Sequence, residues 1–484
     1  MKRFGLIILL VVCSLASLVV HAQDVKYTKY DDFDFRSGEF SVVGKVGERL
    51  YVYRGSSEGY YLDAYDDGME RIATVILDFL PRRVYGLKFV TYADRLIVLH
   101  QVSEGSTVTV FASVLDATGR ILKGPVRIDE IKSSSLGGRS GLYNYAIAED
   151  KNTLCIYGAG SRSKNLQLRT IWLDTTLSIV GSANTDFESD SEPYFGEGLI
   201  NNDGAFFLPV YTITGAKQYA DNVWLLSQSK GEALLKSAAL PMNQLFAAGT
   251  YMKLDKAGGK IYIGGFYSDK RSGHCEGVMY AYYDVATNDF PSFKTIPFSV
   301  NLRTATGERN KKRAFDDYKV HHLIVKNDGG FVLMAEDSYI TTRNSSTQGF
   351  GYYSWYYPTM SASVREYNYG DIFIASYNGT GEMDWSYFVR KYQYSQEDGG
   401  LFSSYALVNT GGSLGLLFND FNMSRSKMQL ASVDADGHVN LRALTGFNLE
   451  DPDWLPRSGK QVSSVEFVAP CLKRNRICFA KIVF

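Results

Sequence analysis

The feature that most constrains this chain is a unit of apolar strands and glycine turns that recurs along most of its length. In each copy, apolar residues alternate with polar ones until a turn, whose Gly supplies the positive φ that tight hairpins need. Four antiparallel strands repeated every ~40–50 residues is the period of a β-propeller blade. The clearest copies span residues 87–128, 319–389 and 404–443, and looser copies span 38–80, 141–185, 194–240 and 246–298.

The two ends of the chain predict how such a ring would close. Residues 461–484 suffice for two or three strands, and an incomplete last blade is commonly completed by a strand from the other terminus. Val25–Phe35 is the candidate strand. We therefore predict an all-β fold, a β-propeller of seven or eight four-stranded antiparallel blades closed by N- and C-terminal strands. A pair of β-sandwiches or a β-helix is the alternative.

Composition agrees with a sheet protein. The chain has 45 Gly and only 11 Pro, together with 34 Tyr and 28 Phe. Aromatic side chains suit half-buried pleated surfaces, and Gly suits frequent tight turns. No long segment of helical period follows the first 25 residues.

The N-terminal segment predicts export. Lys2 and Arg3 precede an apolar run from Leu6 to Val20, and Ala22 offers a small residue where signal peptidase reads. We expect residues 1–22 to be a signal peptide and residues 23–484 to be a single propeller domain that is periplasmic, on the cell surface or extracellular. No later segment is long and apolar enough to span a bilayer, so no transmembrane segment is predicted in the mature chain.

Charge limits the classes of partner. Removing residues 1–22 takes two basic residues and no acidic ones from totals of 51 and 52, which leaves a small negative net charge. Such a balance provides no broad positive field for nucleic acid. The predicted partner is therefore a protein or a glycan.

Four cysteines follow the signal segment, and export would place them where disulfides persist. Cys471 and Cys478 flank a predicted hairpin, so a disulfide between them could fix the last blade. Two free thiols are the alternative, because cross-strand disulfide geometry is demanding. Cys155 lies within an apolar strand and is predicted to be a buried free thiol.

Motifs for catalysis and for metal binding are weak. Gly411–Gly415 matches the GxSxG pattern of hydrolases, but Ser413 opens a strand and no helix follows, so we interpret it as a turn. His321 and His322 are adjacent on a strand, and their side chains should point to opposite faces. Asp434–Gly437 is predicted to be a hairpin turn. The sequence therefore specifies no catalytic residue, no cofactor and no metal site.

One insertion departs from the repeat. Residues 338–370, within the sixth unit, are rich in Tyr, Ser, Gly and Asn and contain one Trp. This composition is typical of binding loops, in which aromatic rings supply contact area and small polar residues adapt. A long hairpin whose aromatic side chains pack on the neighbouring blade is the alternative. The candidate ligand-binding residues are Tyr352, Tyr353, Trp355, Tyr356 and Tyr357.

The C-terminal third resembles a known class of proteins. The segments NDGGFVLMAEDSYITT and DIFIASYNGTGEMDWSYFVRKYQ, followed by SSYALVNTGGSLGLLFND and FAKIVF, resemble blades of uncharacterised exported bacterial β-propeller-like proteins. The resemblance covers residues 317–484. It implies an exported propeller-like body without a defined activity, and it brings no catalytic residues.

These observations favour an exported, non-enzymatic propeller that acts as a binding or interaction scaffold through loops on one face. Two alternatives stay open. One is a carbohydrate-active hydrolase or lyase with carboxylates in the central channel, and the other is a structural component of a cell-envelope assembly. The fold alone does not separate them, because propellers host many functions.

Overall fold

The computed structural model describes residues 25–34, 37–132, 142–214, 219–344, 363–422, 425–444 and 451–484. The predicted signal peptide at 1–22 lies outside these residues. So do the five aromatic candidates between Tyr352 and Tyr357.

The described residues fold into antiparallel sheets that follow one another along the sequence and form eight blades. Blades four and five share a nine-stranded sheet, joined where Ala220 pairs with Ala247. The strands of blades one to four are Glu39–Val46, Arg49–Ser56, Gly59–Tyr65 and Arg71–Ile76; Tyr85–Thr91, Arg95–Glu104, Thr107–Asp116 and Ile121–Lys132; Asn144–Ile147, Thr153–Arg162, Asn165–Asp174 and Ile179–Glu188; Pro193–Phe195 with Leu199–Ile200, Phe206–Ile213, Ala220–Gln228 and Leu235–Ala239.

The remaining blades complete the predicted count. Their strands are Phe246–Leu254, Lys260–Ser268, Gly277–Asp284 and Asp289–Pro297; Tyr318–Val325, Phe331–Asn344, Ser363–Tyr377 and Met383–Val389, with an additional strand Gln393–Gln396; Tyr405–Asn409, Leu414–Asn422, Arg425–Val433 and Val439–Ala443; Asp453–Trp454 with Lys460–Gln461, Glu466–Lys473, Arg476–Val483 and the N-terminal strands Val25–Tyr27 and Asp31–Asp32. Helix is limited among the described residues to Val300–Ala305 and the 3₁₀ turns Lys311–Arg313 and Pro456–Ser458. None of these helices is long and apolar enough to cross a membrane.

Alternation along each strand explains how the blades pack. In the second strand of blade one, Leu50 and Val52 join a buried cluster shared with blade eight. The intervening Tyr51 and Tyr53 join a separate cluster shared with blade two. Successive side chains of a strand point to opposite faces, so each blade contributes to two clusters. Eight such apolar clusters lie between neighbouring blades, one at each junction of the ring.

The two termini close the ring, as predicted. Val25 pairs with Ile482 and Tyr27 with Ala480, so the N-terminal segment supplies the outer strand of blade eight. Thr28 continues the ladder, because its N–H donates to the carbonyl oxygen of Phe479 over 2.9 Å. Phe33 is buried in the cluster between blades eight and one. The last blade therefore contains strands from both ends of the chain.

Strand direction divides the molecule into two faces. Turns between first and second strands lie at one end of the ring, which we call the turn face. Loops between second and third strands lie at the opposite end, the loop face. First strands of neighbouring blades contact one another, as Glu39–Val46 and Tyr85–Thr91 do, so they line the ring axis. The insertion in blade six therefore belongs to the loop face.

Asp-containing turns explain the recurring sequence signature. The Asp116 Oδ1 atom accepts the backbone N–H groups of Thr118 and Arg120, over 2.8 and 3.0 Å. Asp174 Oδ1 accepts those of Thr176 and Ser178 over 2.8 and 2.9 Å. A carboxylate that caps its own turn in this way favours a tight hairpin. This is the local reason for the Asp-rich turns between third and fourth strands.

Candidate functional site

The candidate site is a hairpin that extends blade six beyond the other blades. Its strands continue the second and third strands of the blade, and Ser338–Asn344 pairs with Ser363–Tyr369. The fourth strand pairs only with residues 372–377 and ends at the base of this extension. Gln393–Gln396 then pairs with residues 366–369 as a third strand. We call residues 338–344 and 363–370, with this third strand, the arm.

Glu366 fastens the three strands of the arm together. Its carboxylate accepts hydrogen bonds from Thr341 Oγ1 at 3.1 Å, Arg343 Nε at 2.9 Å and the Tyr394 hydroxyl at 2.8 Å. The pKa of Glu366 lies below its usual value, mainly because of the hydrogen bond from Tyr394. Two strands alone would be marginally stable, whereas a third strand and charge-assisted hydrogen bonds fix the arm.

A bulge lies where the arm leaves its blade. The pairing register with the third strand shifts between Glu336 and Ser338, so Asp337 has no single partner on that strand, although it pairs with Tyr318 on the first strand. Gly370 lies opposite, and a Cβ atom there would approach Asp337 Oδ2 to 2.5 Å. Ser338 N–H also donates to the Asp317 carbonyl oxygen over 2.9 Å. A larger residue at 370 would displace the Asp337 side chain, and the hydrogen bond from Ser338 to Asp317 anchors the base of the arm.

Three carboxyl groups lie near each other at this base. The pKa of Asp337 is raised to about 6, mainly by burial and then by the charges of Asp317 and Asp371. Asp371 is itself ion-paired with Arg390. Burial also raises the pKa of Asp317. Asp337 can therefore hold a proton at mildly acidic pH.

The arm presents apolar side chains to solvent. Tyr339 is 41% exposed and Ile340 is 60% exposed, and Tyr392 beside the third strand is 66% exposed. Tyr367 is instead buried, and the Tyr369 ring lies 6.0 Å from the Arg457 guanidinium carbon. The described part of the insertion thus has features of both a packed hairpin and a binding loop. Some of its aromatic residues pack against the body, and others remain available for contact.

A buried ion pair beside the base of the arm joins the second strand of blade six to the segment that follows its fourth strand. Lys391 Nζ lies 2.6 Å from Glu336 Oε1, and both side chains are almost fully buried. Ser404 Oγ donates to Glu336 Oε2 over 2.6 Å. Removing one partner of such a pair would leave an uncompensated buried charge. Sequence reasoning missed this pair, because 55 residues separate the partners and neither belongs to a motif.

The prediction that the side chains of His321 and His322 point to opposite faces of the strand is wrong. A bulge between Val320 and His322 breaks the strand alternation. Both imidazoles consequently reach the same ring, with centroids 5.8 and 5.6 Å from that of Tyr405. His322 also lies 6.3 Å from Tyr251 on the first strand of blade five. Burial lowers the pKa of His322 to about 4, so it is neutral at physiological pH.

Two sequence motifs are turns, as predicted. Ser413 Oγ shares a hydrogen bond of 2.8 Å with Thr410 Oγ1, and a strand begins at Leu414. Asp434 Oδ1 accepts the N–H groups of Asp436 and His438 over 3.0 and 2.9 Å. These three side chains bring possible metal ligands within 4.8 Å of one another. They lie at the surface, and the hydrogen bonds of the turn account for their proximity.

None of the four cysteines that the structure describes forms a disulfide. Cys471 and Cys478 lie directly opposite each other on paired strands of blade eight, and both are buried. The disulfide between them stays a prediction. Cys155 is buried and free, as predicted.

No protein-family model matches the chain, and no curated protein matches it either. Several solved structures are similar at low identity. Prolyl oligopeptidase B from Galerina marginata, bound to a 35mer substrate, is 11% identical, with a TM-score of 0.43 and coverage of 92% of this chain and 55% of that chain. The chain thus spans about half the length of the prolyl oligopeptidase structures that it matches.

Two further solved structures are similar over most of their own length. Polysaccharide lyase Uly1 is 12% identical, with a TM-score of 0.38 and coverage of 82% of this chain and 89% of that chain. The Nup133 β-propeller domain of Vanderwaltozyma polyspora is 8% identical, with a TM-score of 0.38 and coverage of 82% and 100%. Peptidase, lyase and Nup133 domain differ in function, so these similarities do not select one. The resemblance of residues 317–484 to exported propeller-like proteins is likewise supported only at the level of fold.

Proposed function

We propose that the protein is an exported, non-enzymatic β-propeller that serves as a binding scaffold, and that the arm on the loop face is its main contact element. Export is inferred from residues 1–22, whose basic start and apolar run have the form of a signal peptide. The mature chain would then act in the periplasm, on the cell surface or outside the cell. The partner is a protein or a glycan.

The braced arm is the observation that supports this proposal most. Its three strands are fixed by Glu366, yet it exposes Tyr339 and Ile340 to solvent. A fixed loop loses less conformational entropy on binding than a flexible one. The sequence between its strands contains Tyr352, Tyr353, Trp355, Tyr356 and Tyr357. Tyr and Trp contribute large contact areas at low entropic cost.

A glycan array and a peptide library, each probed with wild type and with a Trp355→Ala/Tyr356→Ala double variant, test the proposal. Wild type should bind a restricted set of ligands. The double variant should bind the same set at least tenfold more weakly, because aromatic anchors typically contribute about 2 kcal/mol or more each. Equal binding by the two proteins would exclude Trp355 and Tyr356 from the site.

A matched pair of single variants provides the control. Ile340 on the arm and Ile76 on the outer strand of blade one have similar exposure, 60% and 62%. Ile340→Ser should weaken binding of the selected ligand, whereas Ile76→Ser should not. If both weaken it equally, the contact is non-specific and the arm has no special role.

A carbohydrate-active hydrolase or lyase is the second candidate. The observation that favours it is Asp337, whose pKa of about 6 suits a general acid. Asp317 and Asp371 lie near enough to raise that pKa, and glycoside hydrolysis uses a pair of carboxyl groups. Release of reducing ends from a polysaccharide panel by wild type, abolished in Asp337→Asn, would replace the binding proposal with this one.

A further inference from the structure

A second feature lies on the turn face, at the opposite end of the ring axis from the arm. A recess of about 670 Å³ opens there between blades eight, one, two and three. Its lining includes Lys45, Lys88, Lys151 and Lys460 and contains no Asp or Glu. The protein as a whole is close to neutral, with 51 basic and 52 acidic residues. The recess is therefore a local concentration of positive charge.

Three of these four lysines have no counter-ion among the described residues. Lys45 is paired with Glu466, whereas no ion pair is found there for Lys88, Lys151 or Lys460. Lys151 Nζ donates to the Thr91 carbonyl oxygen and Lys460 Nζ to that of Val43, each over 2.8 Å. Each ammonium has three N–H donors, so these bonds position the two side chains and leave other donors for a ligand.

The three charges are close enough to interact. The pKa of Lys460 lies below its usual value, first because of burial and then because of the charges of Lys88 and Lys151. This burial is only partial: Lys460 is exposed at the surface of the recess, so solvent or a ligand can reach it. Like charges brought together from three separate blades oppose folding. Such an arrangement costs stability unless an anion compensates it, and clusters of this kind are typical of binding sites.

We propose that the recess binds a multiply charged oxyanion through the ammonium groups of Lys88, Lys151 and Lys460. The ligand carries carboxylate or phosphate groups and enters from the turn face. Its oxygens accept hydrogen bonds from the N–H groups of Lys151 and Lys460 that are not bonded to the Thr91 and Val43 carbonyls. The volume of the recess exceeds that of a single small ion, so the bound group belongs to a larger ligand or is itself polyvalent. This site is independent of the arm.

Titration calorimetry of the full mature chain at low ionic strength tests this proposal, with pyrophosphate and citrate as probes. Wild type should bind at least one probe, and tighter binding of citrate or of pyrophosphate assigns the preferred group. Lys88→Gln/Lys460→Gln should weaken binding at least tenfold. The control Lys164→Gln/Lys236→Gln changes net charge equally at exposed positions on blades three and four, and should alter the affinity less than twofold.

Two results would overturn the proposal. One is the absence of heat with both probes, and the other is equal weakening in the recess variant and the control, which would indicate general electrostatic attraction only. Thermal melting distinguishes loss of ligand from loss of fold. Because the substitutions relieve repulsion, the recess variant should melt at or above the wild-type temperature, and a large decrease would assign these lysines a structural role instead.

Discussion

At the scale of single residues, Asp337 links the stability of the protein to pH. Burial and two neighbouring carboxylates raise its pKa from 3.8 to about 6 in the folded chain. Between pH 4 and 6 the folded protein therefore holds a proton that the unfolded chain has released. The resulting contribution to the free energy of unfolding is fully present below pH 4 and is lost as pH rises through 6.

Asp337→Asn should remove this dependence, because the amide does not titrate. We expect the variant to be more stable than wild type at pH 7.5 by about 1–2 kcal/mol, and the difference to shrink toward pH 4. Urea unfolding at several pH values measures it. Asp190→Asn, at an exposed position on blade three, serves as the control. The interpretation fails if wild type and Asp337→Asn show the same pH dependence.

Residues differ in how far the sequence could predict their roles. The turns at Asp116, Asp174 and Asp434 were predictable, because the carboxylate and its N–H partners lie within four positions of each other. Asp337 and Glu366 were not, because their surroundings arise from strands that meet only in the folded blade. The paired orientation of His321 and His322 also depends on a bulge, which shifts alternation by one residue without a sequence signal.

At the scale of elements, the N-terminal strand is a structural part of the ring. It pairs with Arg476–Val483 in blade eight, and Phe33 packs between blades eight and one. Asp31 is ion-paired with Arg71 of blade one. The segment therefore joins the last blade to the first through backbone, apolar and ionic contacts. The sequence predicted this closure, because the C-terminal segment alone was too short for a blade.

Deleting residues 24–35 should lower the melting temperature markedly, since it removes the outer strand of blade eight and exposes its partner. Phe33→Ala alone should cost about 3 kcal/mol, the usual effect of truncating a buried Phe. Asp32→Ala, at an exposed position of the same segment, should have little effect. A deletion variant that melts at the wild-type temperature would show that the ring closes without this strand.

The arm is the element in which prediction from sequence was least complete. Its position in blade six and its composition were evident from the sequence. Its third strand was not, because Gln393–Gln396 follows the blade and pairs back onto residues 366–369. This pairing adds a third strand to the hairpin where it projects from blade six.

At the scale of the whole molecule, the ring and the arm have separate roles in the proposed function. Eight apolar clusters hold the blades in a closed circle, and this packing accounts for most of the repeated pattern in the sequence. A rigid scaffold of this kind keeps loops at fixed relative positions, which favours binding. The repeats therefore provide stability, and we propose that the arm, which departs from them, recognises the partner.

Replacing residues 345–362 by Asn-Gly tests this division most directly. Asn344 and Ser363 are the last paired residues of the arm, and Asn-Gly favours a two-residue hairpin turn between them. Wild type and the shortened protein would be compared by thermal melting and by capture of partners from an extract of the native cell envelope. We expect an unchanged melting temperature and loss of the captured partner. Capture of the same partner at the same yield by the shortened protein would contradict it.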